Sequence, residues 1–175
     1  MIRITLDKVQ EIKKNKKKLE KELKISIEIQ GQDIILEGEG ENEYIAEKVI
    51  DALDFGFSIN KALKIKKEDS IFEILDIKSY TRQKNFQRVK GRIIGVGGKV
   101  IKTLSDLTGC DFEINNNKLG VIGSPELIKN AQTAVISLIQ GSKQANVYAY
   151  LERHRVKPVF DLGLKETKRS KKAKE

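Results

Sequence analysis

The sequence predicts an α/β fold of the α+β kind, in which one small unit occurs twice. Two observations lead to this. Strand, strand and helix signals recur in the same order at a constant offset, and the second copy contains a glycine-rich turn, GRIIGVGGKV over 91–100. Glycines crowded beside a lysine let a backbone come close to phosphate. The question is which phosphate.

The elements follow from periodicity. ISIEI (25–29) and DIILEG (33–38) carry strand patterns, and Ile45, Val49, Ile50 and Leu53 then fall on one helical face. The succession returns in CDFEI (110–114), KLGVIG (118–123) and a helix from about Pro125 to Ile139, with Ser124 as a suitable cap. Ile29 and Ile114, Leu36 and Val121, Gly38 and Gly123, Ala46 and Ala131, and Leu53 and Leu138 all share the offset of 85, as do Leu19 with Leu104 and Val9 with Ile94. An ungapped match of this length indicates a duplication.

Each unit therefore reads strand, glycine turn, helix, strand, strand, helix. In the second copy these are FQRVKG, RIIGVGG, KVIKTLSDLTG, DFEI, LGVIG and 125–140. Gly109 is placed to stop the middle helix and Asn115–Asn117 to make a hairpin turn. The expected organisation is a first unit over 1–55, a structured connector over 56–84, a second unit over 85–157 and a basic, disordered tail over 158–175. The connector holds a helix candidate, NKALKI, and an apolar strand candidate, IFEILDI.

Composition narrows the partners. The 175 residues carry a net charge of +9, with 34% charged and 39% hydrophobic side chains. An excess of Lys and Arg favours an anionic partner, because each neutralised phosphate releases a counterion. The lone Cys110 cannot form an internal disulfide and fits a reducing compartment. No run approaches the roughly 18 apolar residues of a membrane span, and MIRITLDKVQ lacks an apolar signal core. A soluble, cytoplasmic protein with no membrane partner is expected.

The mononucleotide and dinucleotide patterns both fail at this loop. A Walker loop needs glycine where Ile93 stands and Ser or Thr where Val100 stands. A dinucleotide fingerprint starting at Gly95 also needs glycine at Val100, and wants a strand leading into the turn where Arg92-Ile93-Ile94 reads as a helical turn. What is left is G-x-x-G, Gly95-Val96-Gly97-Gly98, followed by Lys99 at a helix start. Alone this is weak; inside such a unit it points to a nucleic-acid chain.

The order of elements resembles the eukaryotic-type KH domain, and RIIGVGGK is similar to its signature loop. The resemblance implies tandem KH domains, each β-α-α-β-β-α with a three-stranded sheet covered by helices. Two such units, with FGFSINKAL between them and NVYAYLERHR after the second, resemble the archaeal partner-of-Nob-one family of small-ribosomal-subunit maturation. The resemblance spans about 1–157 and is most specific over 88–155. It implies RNA binding near the 3′ end of small-subunit rRNA, with the Nob endonuclease or the alpha subunit of translation initiation factor two as further partners.

The first unit departs from the pattern. At the offset of 85 the loop falls on Gln10-Glu11-Ile12-Lys13, without glycine, and Glu37, Glu39, Glu41, Glu43 and Glu47 follow close together. It reads as a degenerate KH that packs against its neighbour or a protein, and Lys13-Lys14 with Lys16-Lys17-Lys18 reads as a solvated helix face, with contact to RNA as the alternative.

In the second unit, Arg92 and Lys99 flank the loop within reach of phosphates, with Lys102 one turn on and Arg88 and Lys90 on the preceding strand. Ile94, Val100, Ile101 and Phe112 are candidates for a groove floor, or for core. Asn116, Asn117 and Lys118 are turn residues that a KH fold places on the far lip of the groove. The resemblance implies a second RNA or partner contact at Arg153 and Arg155, and His154 beside them reads as a surface residue. One His and one Cys, far apart, give no catalytic or metal site and no cofactor. The rival readings are an RNA-binding subunit of an RNA-degrading complex and a protein-interaction scaffold.

Overall fold

The computed structural model describes residues 1–6, 8–67 and 70–155; the tail expected over 158–175 lies outside them. The first half runs β1 (Ile2–Thr5), α1 (Val9–Leu23), β2 (Ser26–Gln30), β3 (Asp33–Glu37) and α2 (Gly40–Phe55), then two single turns, α3 (Ile59–Ala62) and α4 (Lys64–Lys67). The second runs β4 (Ile71–Asp76), α5 (Phe86–Ile94), α6 (Lys99–Thr108), β5 (Asp111–Asn115), β6 (Lys118–Gly123), α7 (Pro125–Gln140) and α8 (Gln144–Arg153). There are two antiparallel three-stranded sheets, ordered β1-β3-β2 and β4-β6-β5.

The duplication is visible in the backbone. β2, β3 and α2 begin at Ser26, Asp33 and Gly40, and β5, β6 and α7 begin at Asp111, Lys118 and Pro125, each pair at the offset of 85. Lys24 and Gly109 cap equivalent helices in the left-handed region, and Gly31 and Asn116 turn equivalent hairpins there. Leu19 and Leu104 are both wholly buried, as are Leu53 and Leu138 to within 4%. Ser124 starts α7 through its backbone carbonyl, which accepts from Leu127 and Ile128, and its side chain makes no cap.

Upstream, the repeat shifts. FQRVKG is the start of α5, not a strand: Asn85 Oδ1 accepts from Arg88 N at 3.2 Å, and Val89 and Ile93 bury one helical face. The strand that completes the second sheet is β4, drawn from the stretch read as connector. Ile2 lies opposite Leu36, whereas Glu73 lies opposite Val121. The offset is thus 85 in the central strand (121 − 36) but only 71 in the first (73 − 2). The second unit is longer between its first strand and its middle helix, and the added stretch holds α5 and the glycine loop. The first unit lacks that insertion and runs β-α-β-β-α, with α1 continuous through the place where the loop breaks the second.

The two halves pack together. Leu119 and Val121 of β6 face the second core, while Ile122 joins the first. Phe55, Phe57 and Phe72 form a triangle with ring centroids 5.7–6.0 Å apart. Gly120 lets them close in, since a Cβ there would stand 2.7 Å from Phe57. Asn115 Nδ2 donates to Phe55 O at 2.8 Å, and Lys64 pairs with Asp111 at 2.8 Å.

Candidate nucleic-acid interface

The glycine loop sits between α5 and α6. Gly95 leaves α5 at φ +74°, its N–H donating to Gly91 O at 2.8 Å, and Gly97 and Gly98 follow at +60° and +74°. Left-handed angles are nearly free for glycine and costly for most residues, so the tight reversal depends on this composition. Val96 stands at the tip, 88% exposed. No other heavy atom lies within 4 Å of where a Cβ would project from Gly97 or Gly98. The backbone there is open to a ligand that presses against it.

Lys99 and Lys102 occupy the first turn of α6, both exposed and outside every ion pair among the described residues. The helix start adds N–H groups without intrahelical partners and the positive end of its dipole. Together these give the loop side of α6 a positive electrostatic character. Arg88 is exposed in the first turn of α5, roughly 10 Å along the axis from Gly95 at 1.5 Å per residue. Arg92 is half-buried: Nη2 donates to Ser142 O at 2.8 Å, fastening α5 to the α7–α8 turn.

The groove candidates divide. Val100 is 5% exposed and Phe112 4%, so both are core; Val100 packs directly beneath Gly95 and is not available to a base. Ile94, at 37%, is open to solvent. Ile101, Leu107 and Ile114 are each partly buried against the second core, and the sequence reading did not name the last two as groove candidates. Ile114 shares a strand face with Phe112, and the alternation in Asp111-Phe112-Glu113-Ile114 was the available signal. β5, which carries Ile114, is an edge strand.

The hairpin residues face elsewhere. Asn116, at φ +54°, Asn117 and Lys118 line a cleft of about 610 Å³ with Lys8, Asp51 and Asp54 of the first unit. Arg153 and Arg155 lie at the other end of α6 from the loop, where Arg155 and His154 border Leu107 and Thr108. The ten residues of α6 put about 15 Å between these arginines and the glycines. Arg153 Nε folds back onto Ala149 O, and His154 stacks on Tyr150 at 4.2 Å with Nδ1 2.8 Å from its carbonyl.

Among the described residues no group of three or more His, Cys, Asp or Glu side chains is arranged to hold a metal ion. Cys110 is 2% exposed, and burial pushes its thiol up to about 11, so it is neutral near pH 7. No described helix is long and apolar enough to cross a membrane.

A β-α-α-β-β-α unit with a G-x-x-G turn between its first two helices defines a type I KH domain. The family model for the eukaryotic-type (type I) KH domain, in the form of the second KH domain of PNO1, matches residues 71–156, beginning at β4. The second unit belongs to the type I KH family in its PNO1 form. A KH domain-containing protein of Methanocaldococcus jannaschii is 32% identical over 149 residues, 81% of this chain and 66% of the relative. The pre-rRNA-processing protein pno1 of Aspergillus oryzae is 31% identical over 61% of this chain and 43% of its own. The chain thus spans about two thirds of the first relative and less than half of the second. Dim2p of Pyrococcus horikoshii superposes with a TM-score of 0.78 at 26% identity, over 87% of this chain and 98% of that one. A second structure from that organism, a complex of a/eIF2alpha, aDim2p and rRNA, matches with a TM-score of 0.78 at 26% identity, covering 88% of this chain and 93% of that one.

Proposed function

We propose that the protein binds single-stranded RNA at the glycine loop of its second unit and serves maturation of the small ribosomal subunit. The observation that carries this reading is the open backbone at Gly97 and Gly98 beside Lys99 and Lys102, two cations outside every ion pair among the described residues. The loop and lysines grip phosphates, and the exposed Ile94 beside the loop offers apolar surface to an unstacked base. The rRNA in the Dim2p complex and the name of the fungal relative support rRNA as the target, and the small subunit rests on the family resemblance. The same complex supports the alpha subunit of initiation factor two as a partner. The Nob endonuclease rests on the family resemblance alone. The protein acts in the cytoplasm and does not itself cut RNA.

The test is Gly97→Asp with Gly98→Asp. Asp tolerates the left-handed region better than most residues, and the space is open, so the fold is retained while two carboxylates occupy the phosphate position. Affinity for a short RNA from the 3′ end of small-subunit rRNA is expected to fall at least tenfold, about 1.4 kcal/mol. Unchanged affinity in the variant, or no RNA binding by the unaltered protein, would leave the scaffold reading ahead.

A further inference from the structure

By its position in the sequence Arg92 is a phosphate contact beside the glycine loop, yet its guanidinium is engaged elsewhere. The side chain is half-buried, and Nη2 donates to Ser142 O at 2.8 Å. Nη1 lies 3.5 Å from where a Cβ would project from Gly141. The turn that receives it is itself fixed. Gly141 ends α7 at φ +111°, its N–H donating to Leu138 O at 3.2 Å, and Ser142 N–H donates to Ser137 O at 2.9 Å. The accepting carbonyl therefore sits just past the end of α7, where unpaired carbonyls and the negative end of the dipole favour a cation. Arg92 also stands in the last turn of α5, at that helix's own negative end.

The contact bears on the loop because little else holds α5. Val89 and Ile93 are its buried residues, and Arg92 makes the only side-chain hydrogen bond from α5 to another element among the described residues. Beyond it the bonds are local: Gly95 N–H donates to Gly91 O at 2.8 Å and Gly98 N–H to Gly95 O at 3.2 Å. Gly97 and Gly98 have open space where a Cβ would project. The direction in which the chain enters the loop is thus set at the end of α5, where Arg92 is fastened.

From this we infer that Arg92 is a positioning residue for the glycine loop. It ties the end of α5 to the α7–α8 turn, so that the backbone of Gly97, Gly98 and Lys99 is pre-formed for RNA, and it contacts no phosphate itself. A planar guanidinium suits the task, because its fork of donors is pre-organised and loses little freedom for each bond made. A loop already held in its bound geometry has less ordering to undergo on binding. The inference rests on RNA being the ligand of this loop.

The experiment uses the full chain, a five-nucleotide RNA from the 3′ end of small-subunit rRNA, and amide exchange of the free protein. Arg92→Gln removes the charge and is too short to reach Ser142, while glutamine remains a good helix former. Arg92→Lys keeps a cationic donor, and Lys99→Gln is the phosphate-contact comparison. In Arg92→Gln, exchange at Gly95 and Gly98 is expected to speed up at least fivefold while the amides of β6 keep their rates. Five-mer affinity should fall at least threefold with the slope of log K against log salt unchanged, and Arg92→Lys should recover most of both losses. Lys99→Gln should instead reduce that slope by about 0.7, one phosphate contact on a single strand, and leave loop exchange as it was. A slope that falls by about 0.7 in Arg92→Gln makes Arg92 a phosphate ligand and overturns the inference. Unchanged affinity and exchange overturn it too, as does faster exchange throughout the second sheet, which assigns the loss to general destabilisation. Failure of the underlying reading looks different: the Gly97→Asp, Gly98→Asp protein would bind the five-mer as well as the unaltered one, while loop exchange would still respond to Arg92→Gln.

Discussion

Gly95 and Gly97 share left-handed backbone angles but not surroundings. At Gly95 a Cβ would stand 2.8 Å from Val100 Cβ and 2.9 Å from its backbone nitrogen, whereas at Gly97 it would meet nothing. Gly95 is therefore a packing glycine and Gly97 an open one. Gly95→Ala is expected to cost about 2–4 kcal/mol, a left-handed penalty of about 1–2 plus overpacking of about 1–3. Gly97→Ala should cost only the first part, about 1–2 kcal/mol. Urea denaturation separates them; equal losses would remove the distinction. The same closeness at Gly95 explains why Val100, a groove candidate by position, belongs to the core.

At the scale of elements, the difference between the units is one insertion, the stretch that carries α5 and the loop. With it, the second unit can present glycine backbone at the start of α6. Without it, α1 runs on, and the position equivalent to Gly97 is Ile12, wholly buried in the first core. Ile12→Ala is expected to destabilise the protein by about 2–5 kcal/mol, as for other large core truncations. Its affinity for the five-nucleotide RNA should be unchanged where the protein stays folded. A variant that keeps its stability but loses RNA would contradict the assignment of this helix turn to the core.

The whole molecule is held by the contact between the first half and the exposed side of the second sheet. Phe57 is 3% exposed at the centre of that contact, against Phe55 and Phe72. An apolar junction of this kind couples the halves, so the protein is expected to unfold in one cooperative transition. Phe57→Ala should cost about 3–5 kcal/mol and split that transition in two. Circular dichroism and amide exchange followed through urea are the measurements; a single transition with little loss would mean that the halves are held elsewhere. This packing also sets which surfaces remain for partners. The hairpin of Asn116 and Asn117 is turned toward the first unit, while Val96, Lys99 and Lys102 stay exposed.

Much of this was legible because its causes are local. The repeat from α1 to α2, the stop at Gly109, the hairpin at Asn116 and the glycine loop follow from periodicity and turn chemistry within one or two turns of chain. Strand membership was not. FQRVKG reads as the first strand and IFEILDI as a strand of the connector, and only pairing with β6, on the far side of α6 and β5 in the chain, makes the latter the first strand. The same non-local cause tied Arg92 to Ser142, sank Val100 and Phe112 into the core, and set Arg153 and Arg155 at the far end of α6. The sequence alone determined that a glycine turn exists and where it lies. Which charges around it stay unpaired and face the same way was decided by the tertiary structure, because pairing and burial depend on residues far apart in the chain.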